Sequence, residues 1–135
     1  MSTLYVQNCY LFNDTASTWD DAEAACNQLN AHLTSIQTPD QYAFLRVLIE
    51  KATGANTRTW VGGTNLQDRP ITGMQNGAWT WVDGTLFTFT NWGPGEPNNA
   101  GGNEHCMDIN VRGQDYVNDE NCDTMNAFIC VIHNP

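Results

Sequence analysis

"GPGEPNNAGGNEHC", residues 93–106, places Glu96, Pro97, Asn98 and Asn99 together and then, after a run of small residues, Glu104. Glu96 and Asn98 flank Pro97, and alternate residues of an extended backbone point to the same side, so their oxygens can converge. The glycines before Glu104 let the loop fold back. The whole stretch 91–103 is Gly, Pro, Asn and Glu with almost no apolar residue. A loop that long and that polar inside a compact domain is functional or disordered. Its carboxylates and amides suit a hard cation that prefers oxygen.

A second cluster of the same chemistry, "DYVNDENC" at 115–122, brings Asn118 and Asp119 just ahead of Cys122. Neither cluster has thiolate or imidazole ligands at zinc spacing, and no Cys-x-x-Cys occurs in the chain. Oxygen donors from Glu96, Asn98, Glu104, Asn118 and Asp119 therefore favour Ca2+ over zinc or copper. Magnesium fits less well, because a cage of many protein oxygens suits a large, flexible coordination shell. With the backbone carbonyl of Asp119 the set reaches about six ligands, leaving one or two positions for something else.

Outward from these clusters the chain divides in two. In "STWDDAEAACNQLNAHL", residues 17–33, Thr18 caps a helix, Asp21 answers from the third position, and Trp19, Ala22, Cys26, Leu29 and Leu33 form one apolar stripe. In "TPDQYAFLRVLIEKATG", residues 38–54, Thr38 caps, Pro39 takes the first turn and Gln41 completes a second box. Tyr42, Leu45, Leu48, Ile49 and Ala52 are its expected buried face, and Gly54 its stop. From Thr59 the helical period vanishes. "TWVGG" (59–63), "GAWTWVDG" (77–84), "TLFTFTNW" (85–92), "HCMDINV" (105–111), "DYVND" (115–119) and "AFICVIH" (127–133) read as short strands between turns. "LYVQNCYLF" (4–12) and residues 31–36 add strands around the first helix. The expected fold is α+β, one domain over residues 1–135, helices early and strands late.

Composition narrows the function classes. Fifteen acids against five bases give a formal charge of −10, which argues against nucleic acid and anionic membrane surfaces. No apolar run approaches a membrane span. Met1-Ser2-Thr3-Leu4 lacks the basic start and leucine-rich segment of a signal peptide. The five scattered cysteines are nevertheless those of a stapled, secreted domain with its export signal removed. Asn13-Asp14-Thr15 is an N-glycosylation acceptor. No nucleophile–base motif is evident, so no enzyme is expected.

Taken in order and spacing, these pieces resemble the carbohydrate-recognition domain of C-type lectins along essentially the whole chain. The matching segments are the helix start Trp19 to Cys26, Trp60-Val61-Gly62-Gly63 for the family's Trp-Ile-Gly-Leu motif, and Glu96-Pro97-Asn98. Glu104 near Cys106, Asn118-Asp119 with Cys122, and Phe128-Ile129-Cys130 complete them. The resemblance implies a fold of two helices, antiparallel sheets and a long calcium-binding loop region, with bridges Cys26–Cys130 and Cys106–Cys122. It implies that Glu96, Asn98, Glu104, Asn118 and Asp119 hold calcium and touch sugar.

In that family Glu-Pro-Asn accompanies mannose-type sugars (mannose, glucose, N-acetylglucosamine, fucose), and Gln-Pro-Asp accompanies galactose. Two adjacent hydroxyls would each give a lone pair to calcium and a proton to Glu96 or Glu104, and accept one from Asn98 or Asn118. An unmatched buried polar group costs about 1–3 kcal/mol, enough to discriminate a sugar with one hydroxyl turned axial. This chain departs from the family pattern at Val117, where a tryptophan is usual. It departs again at Asn99 and His105, where acids are common, so one principal ion is implied and His105 reads as a surface histidine or one behind the ligands. Asn99, Ala100 and Gly101 offer no aromatic platform for galactose. Cys9 is left over; an intermolecular bridge through it would make a homodimer able to agglutinate glycan-coated surfaces. The alternative is a non-sugar ligand (ice, mineral or protein) on the same fold.

Overall fold

The computed structural model describes residues 2–5, 7–65, 79–88 and 104–133. Among them lie two α-helices and an eight-stranded sheet, meeting the α+β expectation. β1 (Ser2–Tyr5) and β2 (Asn8–Ser17) form a hairpin that turns at Gln7, φ 64°. The single strand expected over 4–12 is therefore two.

Helix α1 (Trp19–Asn27) starts where its cap dictates: Thr18 Oγ1 accepts from the Asp21 N–H at 3.2 Å. It ends before Leu29, which is exposed, because Asn30 enters the left-handed region (φ 57°) and redirects the chain into β3 (His32–Leu33). Leu33 is buried, but on that strand. Helix α2 (Pro39–Thr53) is capped by Thr38 Oγ1 accepting from the Gln41 N–H at 3.0 Å, and Gly54 closes it at φ 79°. Gln41 Oε1 reaches past the cap residue to the Gln37 N–H at 2.6 Å. Tyr42, Leu45, Leu48 and Ile49 are buried as expected, whereas Ala52 is exposed.

β4 (Thr59–Thr64), β5 (Thr80–Trp81), β6 (Glu104–Ile109), β7 (Val117–Asn121) and β8 (Asn126–His133) complete the sheet. Its main order is β1-β2-β8-β4-β6-β7, with β3 on β8 and β5 on β4. All described pairings are antiparallel except β4 with β8, which is parallel. The strand expected from 85 stops short: described residues 85–88 carry no strand. Thr85 instead gives its N–H (3.1 Å) and hydroxyl (2.6 Å) to Asp83, a local capture that competes with ladder pairing.

β4 is buried at every position, and its glycines explain how. A Cβ on Gly62 would lie 2.5 Å from the Leu33 carbonyl oxygen, and one on Gly63 2.7 Å from Met107 Cε. Two indoles finish the packing: Trp60 Nε1 donates to the Ser17 carbonyl at 2.8 Å, and Trp19 Nε1 to that of Val61 at 2.9 Å. Cys26 is bonded to Cys130, tying α1 to β8 across 104 residues, and Cys106 to Cys122, tying β6 to the turn after β7 across 16.

Candidate functional site

Three of the five expected oxygen donors fall on the neighbouring strands β6 and β7. Glu104 opens β6 and pairs with Asn121; Asn118 and Asp119 stand opposite Asp108 and Met107. Glu96 and Asn98 lie outside the described residues. Asn118 and Asp119 are both buried, at 7% and 0% exposure, and Glu104 is half-buried. Adjacent strand residues alternate in face, so the ladder presents Asn118 and Asp119 to opposite sides. Among the described residues, no three His, Cys, Asp or Glu side chains gather as a metal cluster.

Behind Asn118 is a buried ionic network that the sequence reading missed. Asp108 Oδ1 accepts from Asn118 Nδ2 at 3.1 Å. Its other oxygen, Oδ2, accepts from Arg58 Nε at 2.6 Å and from Asn126 Nδ2 at 3.1 Å. Arg58 Nη2 also pairs with the Glu120 carboxylate. Asp108 is wholly buried, and burial pushes its carboxyl up to about 7 despite the guanidinium beside it. Burial acts to lower Arg58, but Asp108 and Glu120 outweigh it and hold the guanidinium above its usual range. The signal available in the sequence was an acid inside the apolar strand "HCMDINV" and an arginine directly ahead of "TWVGG".

The network decides which atom of Asn118 serves the site. Its Nδ2 faces Asp108 Oδ1 at 3.1 Å, the donor side of the amide turned toward an acceptor oxygen. Its Oδ1 is then left for another partner, with one N–H still available. That orientation fits a hard-cation ligand, and the carboxylates of Glu104 and Asp119 are of the same oxygen-donor class.

His105 is buried rather than on the surface, at 8% exposure, with its Nδ1 3.0 Å from Asn65 Oδ1. Cys9 is a free, half-buried cysteine in β2. No helix among the described residues is long and apolar enough to cross a membrane.

Compared with known proteins, residues 15–132 match the profile of the Lectin C-type domain. Ladderlectin of Oncorhynchus mykiss is 40% identical over 115 residues, which cover 84% of this chain and 56% of ladderlectin. The chain thus spans little more than half that relative's length. The galactose-specific lectin nattectin of Thalassophryne nattereri is 32% identical over 128 residues, covering 95% of this chain and 76% of nattectin. Among solved structures, the Ca2+-free form of a Ca2+-dependent type II antifreeze protein superposes with a TM-score of 0.83 at 32% identity. That match covers 97% of this chain and 96% of the antifreeze chain.

Proposed function

Given that the chain belongs to the C-type lectin domain family, we propose that residues 1–135 act as one calcium-dependent carbohydrate-recognition domain of mannose-type specificity. Members of the family bind carbohydrate or other ligands without catalysing a reaction, and its domains generally bind Ca2+. The residues that would hold the ion are Glu96, Asn98, Glu104 and Asn118 through their side chains, and Asp119 through its backbone carbonyl. When bound, it supplies a Lewis-acidic centre for two neighbouring sugar hydroxyls.

The observation that carries the reading is the Asn118–Asp108 contact at 3.1 Å, which turns the Asn118 Oδ1 away from the buried network and keeps one N–H for a sugar oxygen. Glu104, at the head of β6, accepts a hydroxyl proton. Glu96 and Asn98 supply the corresponding acceptor and donor from the Glu-Pro-Asn run. A ligand of adjacent equatorial hydroxyls uses every one of these groups, and a galactose-type pair leaves at least one unmatched. Binding at one site is weak, because the contact is small and open to water. Secretion, microbial or cell-surface glycans as partners, and a Cys9-linked homodimer complete the proposal. A non-reducing gel of secreted protein reads the last of these directly.

Exchanging Glu96→Gln and Asn98→Asp together should move monosaccharide inhibition from mannose toward galactose. Inhibition unchanged by the exchange would defeat the hydroxyl-matching account. The likeness to the antifreeze protein supports a second reading, a non-sugar ligand such as ice, mineral or protein. A glycan array with calcium and with chelator separates the two, because only the sugar reading gives a chelator-sensitive signal.

A further inference from the structure

Asn13-Asp14-Thr15 is the one motif of the sequence that sugar recognition leaves unused, and its placement suits modification. β2 pairs with β8 from Asn8 to Asn13, then loses register until Ser17. Residues 13–16 are all exposed. Within this bulge Asn13 Oδ1 accepts from the Thr15 N–H at 2.8 Å, folding the tripeptide into a compact turn. Thr15 is also solvent-exposed, and its described hydrogen bonds run through its backbone N–H and carbonyl. Asn13 borders an open groove of about 580 Å³ whose other walls are Phe12, Asp14, Lys51 and Ala52.

We propose that Asn13 carries an N-linked glycan. The co-substrate is a lipid-pyrophosphate-linked oligosaccharide. A bond forms between Asn13 Nδ2 and the anomeric carbon, the anomeric C–O bond to the pyrophosphate breaks, and the lipid pyrophosphate leaves with the electron pair. One amide proton passes to a base of the transferase. Attachment at Asn13 needs no rearrangement of the fold, since neither its side chain nor Thr15's is buried. It also leaves the candidate sugar site clear: β8 and β4 lie between β2 and the β6–β7 pair. The glycan therefore shields the exposed 13–16 segment of β2, a bulky and solubilising cover away from Glu104, Asn118 and Asp119.

The proposal rests on the secretory part of the functional reading only, and a cleavable export signal fused ahead of Met1 removes even that dependence. The full chain would be expressed in animal cells as wild type, Asn13→Gln, Thr15→Ala and Thr15→Ser. Each would be denatured, treated with an N-glycan amidase and run on a gel. The wild type and Thr15→Ser should each drop by one mobility step on treatment. Asn13→Gln and Thr15→Ala should run at the treated position from the start and not move. If one of these two fails to fold, the denatured cell lysate and the other variant still report occupancy. The proposal is overturned by a wild-type band that does not move while a control glycoprotein from the same cells does, or by a step that persists in Thr15→Ala. The readout is a denaturing gel, so failure here and failure of mannose binding are separate results.

Discussion

The turn after β5 and the β6–β7 pair each hold an aspartate whose side chain is 0% exposed, and the two carboxyl groups are held to opposite effect. Asp83 accepts from Ser35 Oγ (2.6 Å), from the hydroxyl and N–H of Thr85 (2.6 and 3.1 Å), and is 2.9 Å from His133 Nε2 at the end of β8. Burial alone would raise its carboxyl, but these hydrogen bonds outweigh it and hold the group below the usual carboxylate range. Asp108 has a guanidinium and two amides, yet burial prevails, the Glu120 charge adds to it, and the carboxyl rises to about 7. Asp83 fastens loop to strand. Asp108 accepts a less favourable environment and fixes the orientation of Asn118. The difference separates a carboxyl that fastens a turn to a strand from one that sits behind a proposed ligand residue.

The two disulfides extend the contrast and give the largest expected effects. Removing Cys26–Cys130 by paired serine substitutions releases a separation of 104 residues and should cost about 4–5 kcal/mol by chain entropy. Removing Cys106–Cys122, with a separation of 16, should cost about 3 kcal/mol. Urea unfolding should give that order. Calcium-dependent sugar binding, measured where each variant is folded, should give the reverse order, because only the second bridge braces β6 against β7. If both lose sugar affinity equally, the division between the β8 region and the β6–β7 pair is wrong.

Asp108→Asn tests the network itself and should rank next. An amide has one acceptor oxygen where the carboxylate has two. If that oxygen stays with Arg58 and Asn126, the new NH2 faces Asn118 Nδ2, donor against donor. Asn118 must then flip, offering its Oδ1 inward and its NH2 to the site. The expected results are a stability loss of about 3 kcal/mol, since Arg58 keeps only Glu120 as a charge partner, and a fall in calcium affinity of about ten-fold. Calorimetric calcium titration of the folded variant measures the second. Unchanged calcium affinity with the stability loss intact would make Asp108 a structural residue only.

How much of this could be read from the chain depended on how local the cause was. Thr18, Thr38, Pro39 and Gly54 act within one helical turn, and the helix boundaries they signal are those observed. Leu29 was misassigned because the apolar stripe continues past the point where Asn30 turns the backbone. The Thr85 segment looked like a strand because periodicity does not reveal a carboxylate two residues earlier that captures it. The parallel register of β4 on β8 joins Thr59 to Ala127, beyond any local pattern. Of the candidate site, the oxygen-donor chemistry was legible in the residue types. Its inner support was not, because Arg58 and Asp108 stand 50 positions apart and meet only once β4 and β6 pair.

Asp83→Asn should give the smallest effect, for reasons that sharpen the comparison with Asp108. Its hydroxyl partners, Ser35 and Thr85, can donate or accept, so a new NH2 finds an acceptor by rotation of a hydroxyl. Arg58 has no such freedom at Asp108. The substitution should cost about 1 kcal/mol near neutral pH and leave sugar binding unchanged. Its pH dependence has a definite sign. The folded carboxyl of Asp83 lies below its unfolded value, which is about 3.9, so its stabilisation is complete above that pH. It is lost as pH falls through the folded value, where the native state must take up a proton. Urea midpoints at neutral pH and in acid should therefore show wild type and Asp83→Asn converging as the solution becomes more acidic. Divergence in acid would mean that the hydroxyls and His133 do not favour the charged form, and the contrast with Asp108 would lose its physical basis.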